Sequence, residues 1–209
     1  MPTEKQRTVL EVSAVLLTVI LHFGCYGVTA LRPWFVAAVM LGWGGYVVAR
    51  MRRDPTAAAQ WGLSQTNLGQ SARVLSLPTL VVIAGMAAFG AWQGSLSVSL
   101  ELLLLVALYP VWGVAQQFLL QSIFADNLQK LGPLQGRPWL VALSVSALFG
   151  AIHWPYPALM VATALMGLVF TPLFFRHRQV WTLGVLHGVL GGLFYCWVLG
   201  QEAWLLALV

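Results

Sequence analysis

The chain has 209 residues, 59% of them hydrophobic and only 8% charged, with a mean hydropathy of +0.81. Soluble domains carry about 25% charged residues, and a single domain of this length always exposes a large share of its surface, so a water-soluble enzyme is excluded and the solvent is a bilayer. The formal charge of +5 then reads as the Lys and Arg excess of cytoplasmic loops; the bilayer is the expected partner and no nucleic acid is.

Seven apolar stretches approach the roughly 20 residues that a membrane helix needs: 9–28, 33–50, 76–94, 99–125, 138–154, 157–175 and 180–200. The basic start (Lys5, Arg7) before the first stretch imitates a signal peptide, but Glu11 interrupts it and no small-x-small cleavage site follows, so it reads as a retained helix. Cys25 and Cys196 both sit in apolar stretches, which points to inert buried thiols and not to a disulfide framework. The long link 54–75 leaves two readings open, a plain loop or a short helix on the inner surface with Trp61 and Leu63 in the headgroups.

With the N-terminus in the cytoplasm, alternating spans put ten of the eleven cations on the inner side and only Arg32 outside. Trp34, Trp92, Trp139, Trp154 and Trp181 fall at predicted helix ends, where an amphipathic ring prefers the interface. The expected fold is one all-α membrane domain, 1–209, a bundle of about seven transmembrane helices.

Polar side chains within spans face a bundle interior or a wet cavity. Here they gather in the second half: Gln116, Gln117 and Gln121 in span four, His153 at the end of span five and His187 in span seven. Gln117 and Gln121 share an α-helical face, and Gln116 lies 100° round from Gln117. Hydrogen bonds that merely hold the bundle together account equally well for three glutamines. Gly184, Gly188 and Gly192 repeat every four residues around His187, a stripe that admits a neighbouring helix closely. Glu11, His22 and Glu101 are the other polar residues in lipid, and His177 belongs to a basic loop; His22 and His177 receive no role.

In order and spacing, the second half resembles the CPBP family, the CAAX-processing and bacteriocin-immunity (Abi) membrane proteins, over about 99–200. The family motifs are Glu-Glu-x-x-x-Arg, Phe-x-x-x-His and His-x-x-x-Asn, the last position also taking a small or polar substitute. Gln116 and Gln117 stand where the glutamates would be and Gln121 where the arginine would be; Phe149 to His153 keeps the second motif; His187 keeps the third, with Gly191 in place of asparagine. The resemblance implies cleavage of membrane peptides by a glutamate-activated water, steadied by histidines and the asparagine, a prenylated or other membrane peptide as partner, and a bacterial cytoplasmic membrane as location. It leaves a divalent metal on His153 and His187 open.

A carboxamide takes no proton from water, so losing the base removes about 10²–10⁴-fold in rate. Two imidazoles with neutral amides also make a poor zinc site. Because two anions and their balancing cation are all replaced by one neutral amide, no lone charge is stranded in lipid, which would cost about 2.5–3.5 kcal/mol. Three functions follow: an endopeptidase with an altered cleft, a non-catalytic descendant that binds a membrane peptide or lipid-modified partner, or an activity on a hydrophobic small molecule. Transport lacks its repeat signature.

Overall fold

Among the described residues, six helices are long and apolar enough to cross a membrane, and a shorter apolar helix accompanies them. The computed structural model describes residues 3–26 and 28–201; Gly27, inside the first expected span, lies outside the described residues. In chain order the α-helices are α1 Glu4–Tyr26, α2 Arg32–Arg53, α3 Ala57–Gln60, α4 Leu68–Gln93, α5 Leu100–Gln117, α6 Asp126–Leu128, α7 Pro138–Ala151, α8 Pro157–His177 and α9 Val180–Leu193. They form two compact units, Met1–Ser64 with Leu119–Arg178, and Gln65–Phe118 with Gln179–Val209.

Three expectations change. The helix expected over 99–125 is α-helical only to Gln117 and continues as a π-helix, Phe118–Ala125, a form that is rare and often sits at functional positions. The third span starts at Leu68, eight residues early, because "LGQSARVL" continues the helix and Pro78 is accommodated inside it. The fifth ends at Ala151 after 14 residues, about 21 Å against a hydrocarbon core of about 30 Å.

In the first unit, α7 and α8 pack closely through small residues. A Cβ at Gly150 would lie 2.9 Å from the Met160 carbonyl oxygen, and one at Gly167 would lie 2.8 Å from Ser146 Cα. Ser146 Oγ donates to the Ala164 carbonyl at 2.6 Å. Glu11, buried on α1, accepts from the Tyr46 hydroxyl of α2 and from Asn127 Nδ2 of α6. This satisfies a carboxylate whose unpaired burial would be expensive. Trp61 is not an interfacial ring: it is 6% exposed, its ring meets Tyr46 and its carbonyl accepts from Ser122 at 2.6 Å. Packing inside the unit thus outcompetes the headgroup layer for this indole. His177 is likewise buried at the end of α8 and not in an open loop. The adjoining Arg178, at φ +49°, spreads its guanidinium between Asp126, the Gln60 carbonyl and the Phe174 ring.

In the second unit, Met86, Leu102, Leu193 and Cys196 form a buried core. Helix α9 also runs into a π-helix, Phe194–Val198. Gln93 Nε2 donates to the carbonyls of Trp197 and Val198 at 2.8 and 2.9 Å, and Ser95 Oγ donates to Trp197 at 2.6 Å. Carbonyls at a helix end in an apolar setting need such donors.

Candidate functional site

The second unit places α5 against α9 along the glycine stripe. A Cβ at Gly184 would run into Val114 Cα; one at Gly188 would run into Pro110 Cα and lie 2.8 Å from the Tyr109 carbonyl carbon. Gly113, across the seam, would meet Gly184 and Gly188 backbone in the same way. Side chains that flank such a backbone contact are pressed together, and Gln117 Nε2 sits 3.2 Å from His187 Nδ1. Gln117 is fully buried and His187 is 3% exposed. A motif glutamine thus meets the third-motif histidine, as an amide on an imidazole.

Gly191 lies one turn beyond His187. A Cβ there would be 3.1 Å from Tyr109 Cε1 and 3.8 Å from His187 Cδ2. The tyrosine thus occupies the space beside the residue that replaces asparagine. Sequence reasoning passed over Tyr109; the available signal was its position eight residues before Gln117, on the same helical face as Gly113. The Oε1 atom of Gln116 is buried with no hydrogen-bond partner among the described residues. A buried acceptor without a donor costs about 1–3 kcal/mol, so this amide oxygen is a place where a ligand N–H would be welcome.

The first unit holds the other two positions. Gln121 is fully buried within the π-helix. His153 follows α7 in a tight turn, and its Nδ1–H donates to the Phe149 carbonyl at 2.8 Å. The Phe149 ring stands edge-on to the imidazole at 5.3 Å between centroids, and Thr163 Oγ1 donates to the same carbonyl at 3.1 Å. Phe-x-x-x-His is thus a positioning device: the backbone oxygen of the first residue sets the tautomer of the last, and its ring limits rotation. His22, given no role earlier, bonds to the backbone of Ile152, immediately before His153, and packs near Phe35.

The donor set around His187 does not fit a divalent metal. Its Nδ1 faces the neutral amide nitrogen of Gln117. Among the described residues no three His, Cys, Asp or Glu side chains gather to hold an ion, whereas a catalytic zinc keeps three protein ligands. No step through a metal is derived.

Apolar helices of spanning length and a neutral polar seam between α5 and α9 define an integral membrane protein of the polytopic helical class. Residues 97–193 match the sequence model of the family described as Rce1-like, type II CAAX prenyl endopeptidase Rce1-like. Over these residues the chain is similar to that family, and all the motif positions from Gln116 to Gly191 fall inside the match. No curated protein and no solved structure matches the chain.

Proposed function

We propose that this protein engages a membrane peptide of the CAAX type, or a prenylated partner, at the motif residues of the second unit, Gln116, Gln117, His187 and Gly191, and holds it without cutting it. The family match over residues 97–193 supports the substrate class. The observation that carries the second half is the Gln117 amide on the His187 imidazole. A carboxylate at this position would accept a proton from water; an amide has no basic lone pair to offer. The site retains hydrogen-bonding capacity and shape and loses the base, which makes it a binding site of regulatory or immunity type in a bacterial cytoplasmic membrane.

The test uses purified protein in lipid and a farnesylated peptide with a free CAAX end. Binding is followed by a fluorophore on the peptide and cleavage by mass spectrometry. The native chain binds without cleavage, and the double reversion Gln116→Glu with Gln117→Glu gains turnover, by about 10²–10⁴-fold over native. Cleavage by the native chain that disappears in His187→Ala makes it an endopeptidase instead, and absence of binding removes the proposal.

A further inference from the structure

We propose that the groove between α4 and α9 of the second unit binds one anionic phospholipid of the cytoplasmic leaflet. An acyl chain lies in the groove, and the phosphate is held at its mouth by Arg73 and the first turn of α9. The site is separate from the motif residues and does not depend on what they bind. Helices α4 and α9 run in the same direction. Near their far ends they touch: a Cβ at Gly90 would stand 3.0 Å from the Trp197 carbonyl oxygen. Toward their starts they leave an open groove of about 450 Å³, walled by Leu68, Ala72 and Leu80 on α4 and by Val185 and Leu186 on α9. Positions 68, 72, 76 and 80 recur every four residues, so one face of α4 forms that wall. Ligand sites measure about 300–1,000 Å³, and an apolar groove of this size suits a hydrocarbon chain.

Polar groups gather toward one end. Thr182 lines the groove and is 7% exposed, and its Oγ1 is buried with no hydrogen-bond partner among the described residues. The carbonyl four residues back, the usual acceptor for a threonine inside a helix, falls outside α9. Thr182 belongs to the first turn of this 14-residue helix, where N–H groups lack partners within the helix and the positive dipole end favours an anion. On the facing helix Arg73 follows Ala72 and is the single charge of α4, while α9 carries none. Arg73 is exposed and enters no ion pair among the described residues. A lone cation beside an apolar slot, with no acid on either helix, complements a ligand with an anionic head and a long apolar tail. The charge pattern puts the starts of both helices on the cytoplasmic side, where the leaflet carries negative lipids. A farnesyl group would fill the slot but brings a neutral thioether to its mouth, leaving Arg73 and Thr182 unanswered.

The experiment counts lipids on the full chain. Protein stripped of lipid in detergent is titrated with phosphatidylglycerol or phosphatidylcholine, and bound lipid is followed by native mass spectrometry. One phosphatidylglycerol binds at least about five-fold more tightly than phosphatidylcholine, the share of one cation at a headgroup. Arg73→Gln removes that preference, Arg73→Lys keeps it, and Arg52→Gln, an exposed cation of α2, leaves it unchanged. Thr182→Val weakens binding about ten-fold, the share of a hydrogen bond to a charged group. Ala72→Phe, which fills the groove from an exposed position, abolishes it with the melting temperature unchanged. Equal retention of the two lipids, equal losses in Arg73→Gln and Arg52→Gln, full affinity in Ala72→Phe, or displacement of the lipid by the farnesylated peptide or by inorganic phosphate each overturns the inference.

Discussion

Gly188→Ala tests the seam on which the candidate site depends. The added Cβ meets Pro110 Cα and sits 2.8 Å from the Tyr109 carbonyl carbon. These are backbone atoms and cannot rotate aside. Carbon atoms rest at about 3.5–4.0 Å, so α5 and α9 must part by about 1 Å. Gln117 Nε2 and His187 Nδ1, now 3.2 Å apart, would then stand beyond hydrogen-bond range. Overpacking of this kind costs about 1–3 kcal/mol, and backbone on both sides of the contact puts the expected loss at the upper end. Gly85→Ala on α4 is the control, because nothing lies within 4 Å of its Cβ position; it should be neutral or stabilising by up to about 1 kcal/mol. Reversible unfolding in mixed detergent micelles gives both values. If Gly188→Ala costs no more than Gly85→Ala, the two helices are not in backbone contact and the argument for the site collapses.

The remaining predictions concern the supports around it. Asn127→Ala takes a donor from Glu11 and from the Ile123 carbonyl, while Tyr46 still serves the other carboxylate oxygen; thermal unfolding in detergent should show a loss of about 1–3 kcal/mol, and a loss no larger than that of an exposed alanine substitution would show that Glu11 is solvated. Gly62→Ala forces a side chain onto φ +73° and 2.7 Å from the Arg178 carbonyl oxygen, so it should cost more than the roughly 1–2 kcal/mol of the left-handed backbone alone; an unchanged melting temperature refutes this. Gln93→Leu leaves the Val198 carbonyl without the donor it has at 2.9 Å, while Ser95 still serves Trp197. Hydrogen exchange should quicken around Phe194–Val198 with a global loss of only about 1 kcal/mol, and uniform quickening would refute a local role.

The fold was readable because membrane spans announce themselves by composition over a window, and six of the seven expected stretches appear as helices of spanning length. The glycine stripe of α9 was equally readable, since a four-residue repeat reports one helical face. The site was half readable. The motif order singled out Gln117 and His187 without pairing them, and the structure places the two in contact. Tyr109 was invisible because its importance comes from a space opened by Gly191, eighty-two positions later in the chain. The sequence left the link around Trp61 open between a plain loop and a surface helix, and contact with the ring of Tyr46 places the indole inside the unit.

Composition and periodicity alone therefore determined the solvent, the helices and the chemical types available within them, because these depend on residues near one another in the chain. Only the tertiary structure decided which nitrogen of His187 faces an amide, what satisfies Glu11 and where the α-helical period gives way to a π-helix after Gln117. Those outcomes turn on distances between helices. Backbone contact at Gly184 and Gly188 sets such distances, and no local pattern encodes them.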